Sequence, residues 1–246
     1  MPVQQNPALI NKAHMTKGFF ITGTDTGVGK TYVSTQLIKA CRERQLRVSG
    51  YKPVASGAKW ASGTLVNDDA LALIQQASVP LPYEVVNPYC FEPAIAPHLA
   101  AEQAGVEISI DNIQSNYQQH TLNTDVVIVE GAGGWKVPLG DDLGFDVIPS
   151  ALDIPVVLVV GLKLGCINHA LLSEEAIMNS GCQLIGWVAN DHTDDFQALG
   201  ENMDSLKKRM KTPCIGFFEY QLKCEESKGN KQINVTTTLD YLINFS

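Results

Sequence analysis

The stretch Phe19-Phe20-Ile21-Thr22-Gly23-Thr24-Asp25-Thr26-Gly27-Val28-Gly29-Lys30-Thr31 decides how this chain is read. A short apolar run gives way to glycines, and Lys30-Thr31 then opens a segment of helical pattern and length that runs to Arg44. Glycines let backbone N–H groups turn inward into a concave anion site, and the start of a helix adds its positive end. Lys30 is placed to reach the β- and γ-phosphates of a nucleotide, and Thr31 to offer its hydroxyl to Mg²⁺. The bland alternative is a tight turn carrying one exposed lysine; the strand before and the helix after disfavour it. The spacing departs from the common G-x-x-x-x-G-K-T pattern, since position 24 is Thr24 and the first glycine is Gly23. Asp25 also stands where partitioning-type ATPases carry a second lysine, which counts against a lysine-bridged ATPase switch.

Working outward, short apolar runs alternate with longer amphipathic segments. Gly18 to Thr22, Val48 to Lys52, Asp125 to Glu130, Pro155 to Val160, Leu184 to Asn190 and Cys214 to Phe218 read as strands. Asp68 to Gln76, Asp111 to Thr121, Asn168 to Asn179 and Glu201 to Met210 join Lys30 to Arg44 as helices, with Gly181 just past the fourth of the five. VVIVE and VVLVV are continuously apolar, as strands buried on both faces are, so helices should cover both sides of a parallel sheet. The expected fold is α/β: a single doubly wound domain over residues 17–246, a mainly parallel sheet flanked by helices, of the P-loop NTPase type. Residues 1–16 read as a disordered leader without a signal-peptide core.

Ligands in open sheets of this kind bind beyond the carboxyl ends of the strands, and the informative residues follow the apolar runs. Strand VVIV ends in Glu130-Gly131-Ala132-Gly133-Gly134, a carboxylate and a glycine loop placed to hold Mg²⁺ near the phosphates. Asp69 is the best second acid; on spacing alone it is equally a metal ligand or part of a helix cap, a role better suited to Asn67 or Asp68. The second strand ends in Tyr51-Lys52-Pro53-Val54-Ala55-Ser56-Gly57. Lysine at a strand end is usually an ordinary surface residue. Beside a phosphate site, Lys52 becomes a candidate to stabilise charge on a transferring phosphoryl group.

Composition narrows the classes. The chain has 246 residues, 45% hydrophobic and 18% charged, which suits a well-packed core. A net charge of -8 leaves no domain-wide basic field for a nucleic-acid backbone. The longest apolar run, nine residues from Ile154 to Leu162, falls short of the ~20 that a bilayer span needs. No nucleic acid and no membrane are expected as partners. Six scattered cysteines without a C-x-x-C pair read as reduced thiols of a cytoplasmic protein. The five histidines (His14, His98, His120, His169 and His192) show no metal spacing and support no Ser/His/Asp triad.

Taken together, GTDTGVGKT (23–31), GYKPVASG (50–57), NDDALAL (67–73), VNPY (86–89), APHLAA (96–101), VEGAGGW (129–135), LVVGLKLGCINHALL (158–172) and GWVAND (186–191) resemble the dethiobiotin synthetase family of biotin synthesis. The resemblance runs in family order from about Lys17 to about Tyr220. It implies a Mg²⁺- and ATP-dependent ligase that makes a cyclic urea from 7,8-diaminopelargonate and CO₂. By this resemblance, Gly27, Val28, Gly29, Lys30, Thr31 and Tyr32 belong to the ATP phosphate loop, with Gly131, Ala132 and Gly133 in the second nucleotide loop. Thr31, Asp69 and Glu130 match the magnesium ligands. Thr26, Lys30, Lys52 and Ser56 line the diamine and carbamate site, with Lys52 as the catalytic lysine. Asn190 and Asp191 match the adenine-recognition segment, followed by Phe218, Glu219 and Tyr220 at the base. The family works as a homodimer, and the loop Leu164-Gly165-Cys166-Ile167-Asn168 would receive the substrate's carboxylate tail from the neighbouring subunit, with Gly165, Cys166 and Asn168 as contacts.

One departure is visible: Glu219 stands where the family usually has proline, which implies a modest change in base preference. Two other readings compete. A related amidoligase would normally bring a glutaminase domain with a nucleophilic cysteine, for which the chain has no room. A nucleotide switch of the partitioning or septum-site type is opposed by Asp25, by the acidic balance and by the lack of a terminal basic amphipathic helix.

Overall fold

A computed structural model of the chain describes residues 16–191, 199–219 and 235–245. In chain order, β1 (Lys17–Gly23) and α1 (Lys30–Glu43) are followed by β2 (Val48–Tyr51), β3 (Val54–Ala55), β4 (Lys59–Ala61), β5 (Thr64–Val66) and α2 (Asp68–Gln76). Then come α3 (Tyr83–Val86), β6 (Tyr89–Cys90), α4 (Pro97–Ala104), α5 (Ile110–Thr121), β7 (Val126–Glu130) and α6 (Ile148–Leu152), this last preceded by a 3₁₀ turn at Phe145–Val147. The described elements close with β8 (Val156–Gly161), α7 (Cys166–Asn179), β9 (Leu184–Asp191), α8 (Leu199–Arg209), β10 (Cys214–Glu219) and α9 (Val235–Asn244).

Six strands form one parallel sheet in the order β10-β9-β8-β1-β7-β2. The unbroken apolar runs are explained by what lies above and below them. Phe19, Ile21, Val126, Ile128, Val157 and Val159 enter a core with Val33, Leu37 and Ile38 of α1 and Leu239 and Leu242 of α9. Their neighbours Phe20, Val127, Val129, Leu158 and Val160 enter a second core with Ile113 of α5, Ala170 and Ile177 of α7 and Leu206 of α8. Successive side chains point to opposite faces of a strand, so a strand buried on both sides must be apolar at every position. Each fully buried Val or Ile is worth roughly 1.5–3 kcal/mol, and an Asp at Val159 would also leave an unpaired charge in the core.

The strand order reverses at β1, with β7 and β2 to one side and β8, β9 and β10 to the other. The loops after β1, β7 and β8 therefore part at the carboxyl edge of the sheet and leave a crevice there. All six expected strands and all five expected helices are present, with ends shifted by a few residues. Lys52 lies one residue beyond β2, and Gly181 takes the left-handed conformation (φ 80°) after α7.

The elements not anticipated are short, exposed or propensity-poor. The hairpin of β4 and β5 is too brief to show alternation. Helix α9 opens Val-Thr-Thr-Thr, a run of β-branched residues that disfavours helix in isolation. Tertiary contacts hold it: the Thr238 hydroxyl donates to Ile215 O (2.8 Å) and the Tyr241 hydroxyl to Ile185 O (2.9 Å). Lys17 Nζ donates to Ile243 O (2.5 Å) and Phe245 O (2.8 Å), a cation at the helix's negative end. The expected leader falls outside the described residues except for Thr16, whose hydroxyl donates to Thr121 O and Thr124 O.

Candidate active site

The loop between β1 and α1 turns through two left-handed glycines, Gly27 (φ 74°) and Gly29 (φ 89°). Gly29 is required twice over, because a Cβ there would also lie 2.0 Å from Asn190 Nδ2. That amide donates to Val28 O at 2.9 Å, so the end of β9 holds the phosphate loop in shape. Val28 itself is buried in the core, whereas Thr26 and Gly27 face solvent. Lys30 is curled back under the loop, donating to Asp25 O (3.0 Å) and Gly133 O (2.5 Å). Burial, and next the charge of Lys52, bring its ammonium down to about 8.

Lys52 occupies the centre. Its ammonium donates to Glu130 Oε1 (2.6 Å), Asp69 Oδ2 (3.1 Å) and Gly131 O (3.0 Å). Burial by itself would lower its pKa, but the adjoining carboxylates outweigh burial and hold it above the ordinary lysine value. Thr31 donates its hydroxyl to Glu130 Oε1 at 2.8 Å. Asp69 sits in the first turn of α2, whose cap is Asn67: Asn67 Oδ1 accepts from Asp69 N (3.0 Å) and Ala70 N (3.3 Å). The spacing thus resolves with Asn67 as cap and Asp69 turned toward Lys52. Although burial opposes it, the Lys52 charge keeps the Asp69 carboxyl below its usual range.

Glu130 is fully buried, and its second oxygen, Oε2, has no hydrogen-bond partner. A buried carboxylate oxygen without a donor is costly, and it is free to take a cation. With Asp69 and the Thr31 hydroxyl it makes a small all-oxygen set of the kind Mg²⁺ accepts while keeping several waters. Among the described residues no group of three or more His, Cys, Asp or Glu could hold a metal.

The remaining expected residues fall into two groups around this centre. Ser56 lies beside the α2 cap, where its carbonyl accepts from Asn67 Nδ2 at 3.4 Å. On the other side, Lys163 Nζ reaches Asp25 Oδ2 at 3.0 Å and ties the β8–α7 loop to the phosphate loop. The hydrogen bond from Lys163, and next that from Thr26 N–H, holds the Asp25 carboxyl below its ordinary value. Beyond Lys163 come exposed Leu164, Gly165 in the left-handed region (φ 92°) and the first turn of α7 with buried Cys166 and exposed Asn168, a turn that no side chain caps.

The sequence of the chain matches named proteins. A family model described as an AAA domain covers residues 17–228. The ATP-dependent dethiobiotin synthetase of Cellvibrio japonicus is 46% identical over 224 residues, 91% of this chain and 98% of its own. That of Pseudoalteromonas translucida is 42% identical, over 93% of this chain and 99% of its own. The chain belongs to the dethiobiotin synthetase family. It is an ATP-dependent ligase of biotin synthesis, not the nucleotide switch that competed with that reading. Solved structures of the Aquifex aeolicus MinD cell division protein (TM-score 0.56, 16% identical, 94% of this chain and 98% of that one) and a Chlorobium tepidum ParA family ATPase (TM-score 0.55, 14% identical, 94% and 99%) share the fold alone.

Within this dethiobiotin synthetase fold the described base-side residues lie at the ends of β9 and β10, where Asn190 meets the phosphate loop. Phe218 is buried and meets Tyr32 edge-on, with ring centroids 6.3 Å apart. Asp191 closes β9 in register with Glu219 of β10. Tyr220 lies outside the described residues. Sequence reasoning did not foresee the Asp25–Lys163 pair or the lysine-binding carbonyls of Gly131 and Gly133. The partners are 79 to 138 positions apart in the chain, and backbone carbonyls leave no residue signature.

Proposed function

We propose that residues 17–246 act as one ligase domain in which the phosphate loop binds ATP and Lys52 works on the phosphoryl group in transfer. The observation that carries this is the buried Lys52–Glu130 pair, with partly exposed Asp69 on Lys52 and Glu130 on the strand next to the one that leads into the glycine loop. Gly27, Val28, Gly29, Lys30, Thr31 and Tyr32 cradle the phosphates, and Thr26 and Ser56 border the diamine. Thr31, Asp69 and Glu130 would hold Mg²⁺, which supplies charge neutralisation on the β- and γ-oxygens when bound. Asn190 and Asp191, with Phe218, Glu219 and Tyr220, would serve the base, and Gly131, Ala132 and Gly133 the second nucleotide loop.

One amine of 7,8-diaminopelargonate adds to CO₂ and loses a proton, giving a carbamate. The carbamate oxygen attacks the γ-phosphorus; the bond to the β,γ-bridging oxygen breaks and ADP leaves. The second amine then attacks the carbamoyl carbon, loses a proton and expels phosphate, closing the urea ring. No enzyme nucleophile is called for, only positioning and a dry, cationic site. Lys52 suits that task because it is buried yet kept protonated by two carboxylates. Lys30 adds a second cation at the phosphates.

We further propose a homodimer in the cytoplasm, with Gly165, Cys166 and Asn168 of one subunit receiving the carboxylate tail of diamine bound in the other. Support comes from Leu164, which is 95% exposed, and Leu172, 58% exposed, an apolar surface beside the uncapped start of α7. Among the described residues no helix is long and apolar enough to cross a membrane. The test is ADP release with 7,8-diaminopelargonate, bicarbonate and MgATP, with the organic product identified by mass spectrometry and the dimer by gel filtration without nucleotide. Diamine-dependent ADP release with a cyclic urea product is expected; slow hydrolysis indifferent to the diamine would overturn the reading.

A further inference from the structure

Between α2 and α4 runs a segment, Tyr83 to Cys90, that grips the main chain that carries Lys52. Lys52 N donates to Val86 O at 2.8 Å, and Tyr89 N donates to Pro53 O at 3.2 Å. Asn87 is 2% exposed, and its amide is used at both ends. Asn87 Nδ2 donates to Lys52 O (2.7 Å) and Tyr89 O (3.2 Å), while Oδ1 accepts from the Tyr83 hydroxyl (2.9 Å). That hydroxyl in turn accepts from Asn67 N at 2.7 Å, and Asn67 is the cap that sets the first turn of α2 and hence Asp69.

We propose that Tyr83 and Asn87 are positioning residues, a brace that fixes Lys52 against Asp69. The chain of bonds has one direction throughout: Asn67 N–H to Tyr83, Tyr83 O–H to Asn87, Asn87 N–H to the Lys52 carbonyl. Turning the Asn87 amide over would set its donors against the Tyr83 hydroxyl proton and its oxygen against two carbonyls, so only one arrangement satisfies every group. The brace joins the two places where the metal-side carboxylate and the phosphoryl-side lysine leave their elements. A lysine side chain has four soft torsions, and a displacement of ~1 Å at its root is enough to cost on the order of 100-fold in rate. The supporting shell of a site is what removes that freedom.

The proposal rests on the roles given to Lys52 and Asp69 above, so Lys52→Ala is measured in parallel. In Tyr83→Phe, kcat for diamine-dependent ADP release should fall about tenfold and half-saturating Mg²⁺ should rise about threefold, while KM for ATP stays within about twofold. The control is Thr124→Val, which removes a buried hydroxyl bonded to His120 O at the far end of the sheet. It should lower Tm by a few degrees, about as much as Tyr83→Phe, and leave kcat and Mg²⁺ dependence alone. Wild-type kcat and Mg²⁺ dependence in Tyr83→Phe, with Tm lowered as in the control, would reduce the segment to a structural one. Should Tyr83→Phe fail to fold, Asn87→Asp removes the donors to Lys52 O and Tyr89 O while keeping an acceptor for Tyr83, and unchanged turnover there overturns the proposal equally. Full turnover in Lys52→Ala would instead remove the site assignment, and the brace with it.

Discussion

The two edges of the sheet treat buried polar groups differently. At the amino edge, Glu174 of α7 is 3% exposed, and its carboxylate accepts from Lys211 N (3.0 Å), Thr212 N (2.8 Å) and the Thr212 hydroxyl (2.7 Å). At the opposite side of the sheet, beside β2, His120 is held between the Ser49 hydroxyl at Nδ1 (2.8 Å) and Val85 O at Nε2 (3.3 Å). At the carboxyl edge, buried atoms lack hydrogen-bond partners: Glu130 Oε2, Trp135 Nε1, His169 Nδ1 and Asp191 Oδ1. Stability asks that every buried polar group be paired, so unpaired ones persist where something other than the chain completes them. The amino edge holds the fold together, and the carboxyl edge keeps its polar groups for ligands.

Substitutions that break one edge should spare the property of the other. Lys52→Ala should show the largest effect, lowering kcat by roughly 10²–10³-fold while ATP binding changes little, because the charge it meets develops only on the transferring group. Steady-state ADP release with a separate nucleotide-binding titration separates the two quantities; equal losses in both would assign Lys52 to ground-state binding. Next, Glu130→Gln retains the shape but removes the charge opposite Lys52 and Thr31. Half-saturating Mg²⁺ should then rise by about tenfold or more. An unaltered Mg²⁺ titration would take Glu130 out of the ligand set.

Glu174→Ala runs the comparison from the other edge. It leaves two backbone N–H groups and a hydroxyl without their acceptor, a loss of about 3 kcal/mol or roughly 6–12 °C in Tm. Well below that Tm, turnover should stay within about twofold of wild type, as thermal melts and assays on one preparation would show. A large loss of kcat at 25 °C would mean that the two edges are coupled through α7.

The same division explains what the sequence made legible. Uninterrupted apolar strands such as VVIVE and VVLVV announce burial on both faces, and with it the parallel sheet and its crevice. Glycines before Lys30-Thr31 announce the phosphate loop, because few other uses demand that backbone. What stayed hidden was hydrogen bonding between distant residues. The Lys163–Asp25 pair joins positions brought together only by the sheet. Asp69 reads as cap or ligand until Asn67 is seen to fill the cap. Helix α9 is hidden by its own Val-Thr-Thr-Thr start and becomes intelligible only beside Ile185, Ile215 and Lys17.

His120 offers the finest test of the amino edge, because its protonation can be varied without mutation. Burial brings its imidazole down to about 4 from 6.5, and the hydrogen bond to Val85 O only partly offsets that. Ser49 and Tyr51 also adjoin it, the Tyr51 ring centroid lying 4.8 Å away, and neither carries a charge at neutral pH. With a folded pKa below the unfolded one, the unfolded chain binds the extra proton first. The stabilisation is therefore complete above about pH 6.5 and is lost as pH falls toward 4. By pH 5 the cost relative to pH 7 should be about 2 kcal/mol. Urea unfolding at the two pH values measures it, and the difference should shrink in His120→Asn, which cannot titrate. An equal loss in that variant would assign the acid sensitivity to other groups.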